Sequence, residues 1–120
     1  VNAPLTVEDR YAIKLIETVA TLAQQAFNTD DALTVTTTDY QIIARREREC
    51  EYVTNDDGDE YEVTTTTVLV DVTARNMSEV FPALRAIINL IANIKIADIH
   101  EVGSNGCLIT LTREYGLEVL

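Results

Sequence analysis

One histidine, His100, and two cysteines, Cys50 and Cys107, are the whole supply of imidazole and thiol in this 120-residue chain. Nucleophilic catalysis needs a thiol or hydroxyl activated by a neighbouring base. No local motif brings His100 to Cys50 or Cys107. Zinc takes several Cys or His ligands, and the three present here are scattered. The acidic run Asp56-Asp57-Gly58-Asp59 invites comparison with a calcium loop. Such a loop has Asp or Asn at alternating places before a glycine and a Glu six residues after it. With Gly58 as that glycine, Val53 takes the first ligand place and Thr64 the last, and both fail. Gly103-Ser104-Asn105-Gly106 has no lysine and joins two strand-like runs, so it reads as a turn and not as a phosphate loop. No Gly-x-Ser-x-Gly elbow is present. Asp71 stands between Val70 and Val72 and points away from them; it needs a partner only if its face is covered. The expectation is a non-catalytic protein with no cofactor, no metal and no small-molecule substrate.

The residues that suggest contact lie between Tyr40 and Tyr61. Two extended runs flank Asn55-Asp56-Asp57-Gly58-Asp59, and an Asp-Gly pair in that position is a strong hairpin signal. The alternation of a strand puts Arg46, Arg48, Cys50 and Tyr52 on one side and Arg45, Glu47, Glu49 and Glu51 on the other. Arg and Tyr are favoured at interface hot spots. Arg46, Arg48 and Tyr52 are therefore a candidate contact strip, with Asp56, Asp57, Asp59 and Glu60 as an acidic tip. The competing explanation is that a charged ribbon edge resists unwanted strand pairing.

The elements that must carry these residues follow from periodicity. Residues 6–28 predict a helix, opened by a capping box from Thr6 to Asp9. Two neighbouring apolar stripes run along it, Ile13-Ile16-Ala20-Ala23-Phe27 and Ala12-Leu15-Val19-Leu22-Ala26, giving a wide apolar face. A short strand over Leu33 to Thr38 precedes a corner at Asp39. The hairpin arm then spans 40–74, its return strand passing through Thr64–Thr67 to Val68, Val70 and Val72. A second helix is predicted from about Ser78 to Asn93, capped by Asn76 or Ser78, with Pro82 near its first turn. It is so apolar that one small sheet does not cover it, and the excess calls for the first helix or another subunit. Ile96 to Val102 and Cys107 to Arg113 close the chain as a short hairpin. The fold class is α+β: a curved antiparallel sheet with two helices on one face, in the order α-β-β-β-α-β-β, within a single domain over 1–120.

The outgoing arm strand, Tyr40 to Asp56, spans roughly 55 Å at ~3.3 Å per residue. A compact chain of this length has a diameter of about 35 Å. The ribbon therefore bends sharply or projects from the body.

Charge narrows the partners. Twenty acids against nine bases give −11, and two of the bases are lysines, Lys14 and Lys95. Direct binding to nucleic acid is disfavoured, as is an anionic membrane surface. No apolar run approaches the ~20 residues needed to span a bilayer. The start, Val1-Asn2-Ala3-Pro4, has neither the basic nor the apolar segment of a signal peptide, so the expected location is intracellular: cytoplasm, or a virion if the source is viral. Cys50 and Cys107 are expected as reduced thiols, with a bridge open if their strands meet.

Two functions fit. The first is an assembly subunit, the better fit to helices too apolar for one body and an arm that overreaches it; a homo-oligomer is expected. The order of elements from about residue 6 to 113 resembles that of the tail-terminator and tail-completion proteins of long-tailed phages. Those are small α+β subunits that form rings closing a tail tube. The resemblance lies in element order, without a diagnostic motif, and assigns no residue roles. The second is a small acidic inhibitor that mimics nucleic acid and offers Asp56, Asp57, Asp59, Glu60 and Glu62 to a basic cleft. Arg45, Arg46 and Arg48 interrupt its negative surface.

Overall fold

Thr6 opens the first helix as the spacing predicts. Its hydroxyl accepts from the Asp9 amide at 3.0 Å, and the Asp9 carboxylate accepts from the Thr6 amide at 3.1 Å. The resulting helix, α1 (Val7–Ala26), is followed by β1 (Leu33–Thr36), β2 (Tyr40–Thr54), β3 (Glu60–Ala74), α2 (Met77–Ile88), β4 (Ile96–Val102) and β5 (Gly106–Val119). This computed structural model describes residues 6–119, and the side-chain surroundings of residues 6–115. The architecture is α+β, with a five-stranded sheet in the order β1-β2-β3-β5-β4 and every neighbouring pair antiparallel.

Register explains which face is covered. Ile42 pairs with Val72 and Val72 with Cys107; Ala44 pairs with Val70 and Val70 with Ile109. All six are buried, as are Val68, Leu111 and Ile99. Both helices lie on this inner face, α1 over β2 and β3 and α2 over β4 and β5. Of the two stripes on α1, the one through Leu15, Val19, Leu22 and Ala26 is fully buried, whereas Ile13 of the other is exposed. Asp71 lies on the outer face, is exposed, and needs no partner.

Three boundaries differ from the sequence expectation. First, α2 starts at Met77 and stops at Ile88, well short of Asn93. Asn76, with φ of 56°, turns the chain into it without a side-chain cap. Pro82 therefore falls inside the helix and not in its first turn. Second, Ile91 and Ile94 reach the core from the turn after α2. Val80, Leu84 and Ile88 are buried, and Phe81 and Ile87 pack partly against the core. The excess apolar surface expected on this helix thus shrinks mainly to Leu90, which is 80% exposed. Third, β5 does not end at Arg113. It continues beside β3 until Val119 pairs with Glu60. The arm is a three-stranded ribbon, not a two-stranded hairpin.

The arm leaves the body. The principal extents are 61 × 33 × 23 Å. The radius of gyration is 17.5 Å, against ~14 Å for a compact chain of this length.

One polar cluster ties the opposite end together. The Arg75 guanidinium donates to Glu8 at 2.8 Å and to Asp39 at 3.1 Å, and stacks 4.1 Å over the Tyr11 ring. The Tyr11 hydroxyl donates to the Arg75 carbonyl at 2.7 Å. Arg75 holds the Glu8 carboxyl below its ordinary value of 4.5, and the Thr6 backbone and side-chain hydrogen bonds hold Asp9 below 3.8.

Two predictions follow from this packing. Leu84→Ala, at a fully buried position, is expected to cost about 2–5 kcal/mol in urea unfolding; a cost near zero would contradict its place in the core. Because the folded pKa values of Glu8 and Asp9 are depressed, their stabilisation is complete above the ordinary value of 4.5 and is lost as pH falls through the folded values. Glu8→Gln should therefore flatten the acid side of the stability–pH curve. An unchanged acid slope would remove Glu8 from the account.

Candidate functional site

Where α1 ends, the inner face of the sheet loses its cover. A helix leaves its last carbonyls without partners and favours cations nearby. The last turn of α1 holds no basic residue. Arg46 supplies one from β2: its guanidinium donates to the Phe27 carbonyl, the C-cap of α1, at 2.8 Å, and pairs with Asp30. Arg113 does similar work from β5. It donates to the Ala92 carbonyl at 2.9 Å and stacks 4.0 Å over the Phe27 ring. Its Nε is buried without a hydrogen-bond partner among the described residues.

Beyond this boundary the three strands align their side chains in rows. Arg48 pairs with Thr66 and Thr66 with Arg113; one row further out, Cys50 pairs with Thr64 and Thr64 with Tyr115. Together with Arg46, five of these residues (Arg48, Arg113, Thr64, Thr66 and Tyr115) line a cavity of about 520 Å³ under the arm, floored by Phe27 and Asn28. Three guanidinium groups face it against one carboxylate, Glu62. In a chain of net charge −11, this is a local concentration of positive charge. Arg48 is exposed and makes no ion pair among the described residues.

The structure thus separates the residues singled out in the sequence. Arg46, Arg48, Cys50 and Tyr52 do share the underside of the arm. Arg46, however, has a side chain only 10% exposed and is held by α1, so little of it is open to a partner. Tyr52 stands further out on the arm and is 72% exposed. Asp56, Asp57, Asp59 and Glu60 are exposed at the tip, away from the cavity. Asn55 organises that tip: its Oδ1 accepts from the Asp57 amide at 3.0 Å and the Asp59 amide at 2.9 Å. Gly58, with φ of 84°, supplies the left-handed residue the turn requires. On the upper face Arg45 and Glu47 pair at 3.0 Å, both well exposed, a contact of little energetic consequence.

The sequence places Arg113 at the end of a strand and singles out neither it nor Tyr115 as a contact residue. Their signal was present: Arg113 follows Ile109 and Leu111 in the same strand phase, and that phase continues to Tyr115.

The remaining chemical candidates stay apart. His100 is exposed on β4, with Nδ1 3.5 Å from Asp98. Both thiols are free. Cys50 pairs with Thr64 and Cys107 with Val72, a separation along β3 of roughly 26 Å at ~3.3 Å per residue, far beyond disulfide reach. Burial, with help from Asp71 and Glu101, pushes the Cys107 thiol up to about 11. Among the described residues no three His, Cys, Asp or Glu side chains converge as a metal site, and no helix is long and apolar enough to cross a membrane. No protein-family model matches the chain, and comparisons with curated proteins and with solved structures return no match either.

The two thiols give a direct check on the exposure of the underside. A thiol-reactive probe should add once to the native protein, at Cys50, and a second time only after unfolding exposes Cys107. Intact mass measured with and without denaturant reads both. Two rapid native additions would contradict the burial of Cys107.

Proposed function

We propose that this chain is a non-catalytic assembly subunit whose arm takes hold of a neighbouring protein. The observation that carries this reading is the uncovered underside of the arm. From Glu47 to Thr54 the ribbon runs roughly 26 Å past the row containing Arg46, at ~3.3 Å per residue, with no helix beneath it among the described residues. That underside offers Arg48, Tyr52 and Tyr115, residue types favoured at interface hot spots. Beyond Arg45 the outer edge of β2 has no strand partner among the described residues, because β1 pairs only with Gln41 to Ala44. A self-assembling subunit, ring-forming and viral in the manner of tail-terminator proteins, accounts for an arm of this length. The apolar helix faces contribute less to the reading, since the core covers most of them.

The acidic-mimic alternative uses the exposed carboxylates of the tip and calls for a monomer that binds a basic cleft. Mass in solution separates the two. Light scattering on a sizing column should give a multiple of 13.3 kDa. An arm shortened by joining Arg48 to Thr66 through an Asn-Gly turn keeps the strand register and should run as a folded monomer. A wild-type monomer at every concentration would sink the self-assembly reading.

A further inference from the structure

Self-assembly leaves open what the arm touches, and the charges point to one kind of contact. We infer that the arginine-lined cavity under the arm receives the acidic turn of a second copy of this chain. The inference rests on the assembly reading and names its contact. On one side stands the cavity of about 520 Å³, in which Arg48 is open to solvent while Arg46 and Arg113 are held by carbonyls of the body. Arg48 has no ionic partner among the described residues. On the other side stands the turn with Asp56, Asp57, Asp59 and Glu60, all exposed and none in an ion pair among the described residues. Asn55 fixes the turn through the Asp57 and Asp59 amides, so its carboxylates are presented with little ordering cost on docking. Charge-assisted hydrogen bonds to guanidinium are the strong kind.

Geometry requires the turn to come from another molecule. Arg48 to Thr54 spans roughly 20 Å of paired strand at ~3.3 Å per residue. The turn, carried at the end of paired strand, therefore stands well away from its own Arg48. The contact joins two different patches of the same surface. Repeated head to tail it builds a ring where the rotation closes and a filament where it does not, and made reciprocally it closes a pair.

Charge reversal in trans tests the contact. One variant carries Asp56→Lys and Asp57→Lys; a second carries Arg48→Glu. All three positions are exposed, so both variants should keep the native circular dichroism. Arg46 and Arg113 are left alone because they hold the ends of the helical layer. The expected result is that each variant alone associates at least about tenfold more weakly than wild type, while an equimolar mixture regains association. Added salt should weaken wild-type association. If wild type is oligomeric and either variant alone keeps its full affinity, or the mixture fails to recover, this contact is wrong and the assembly reading stands on another surface. If wild type is monomeric throughout, the assembly reading falls and the contact falls with it.

Discussion

A helix advances ~1.5 Å per residue and a strand ~3.3 Å, and this mismatch governs the molecule. The 20 residues of α1 reach about 30 Å, whereas the 15 residues of β2 reach about 50 Å. Two helices of these lengths cover the inner face of the sheet only as far as Val68 and Leu111. What lies beyond must be tolerable without cover. The side chains change accordingly along β3. Val68, Val70 and Val72 belong to the core, and Thr64 to Thr67 carry the strand through the transition. Threonine suits that stretch because it favours extended backbone and brings a hydroxyl that can be satisfied at partial burial. Thr67 and Thr112 illustrate this, their hydroxyls lying 3.4 Å apart.

The boundary between core and arm is held by arginines and not by a further apolar layer. Arg46 closes the end of α1, and Arg113 spans from the Ala92 carbonyl to the Phe27 ring. A long side chain does two things at such a boundary. Its aliphatic stem covers apolar surface while its head satisfies carbonyls that the helix leaves open. The same placement turns guanidinium groups toward the space under the arm. The positive character of the cavity is thus a consequence of how the helical layer is finished, and any docking role is built on a structural one. Arg48 is the exception: it finishes nothing in the body and stands exposed on the arm.

Local patterns showed much of this in the sequence. The capping box at Thr6, the turn centred on Gly58 and the opposite facing of Arg48 and Glu47 are short-range features, fixed by residues within a few positions of each other. The element order and the projecting arm were legible for the same reason. Two kinds of error arose where the pattern was ambiguous or the information was distant. Ile91 and Ile94 continue the apolar spacing of α2, yet they enter the core from a turn. Periodicity alone does not distinguish those cases. Arg113 joins Arg48 only through two strand pairings that bring residues 48, 66 and 113 into one row. That register is a property of the assembled sheet. A cavity built across three strands is therefore invisible until the pairing is known, however clear each strand may be by itself.

The charges of the arm also answer a hazard that its length creates. Past Arg45 on β2 and past Thr112 on β5, the ribbon has outer edges without strand partners among the described residues. Open edges invite pairing with other chains, and charged side chains are a common defence. Arg45, Glu47, Arg48, Glu49 and Glu51 serve that purpose whatever else they do. Edge protection depends on the presence of charge and is nearly indifferent to its sign. Protection alone would be met by carboxylates throughout, which are abundant in this chain. Yet Arg46 and Arg48 lie on the underside of β2, while the upper face carries Glu47, Glu49 and Glu51 together with Arg45, which pairs with Glu47. The uneven spread of sign between the two faces is more than the protection of an edge calls for.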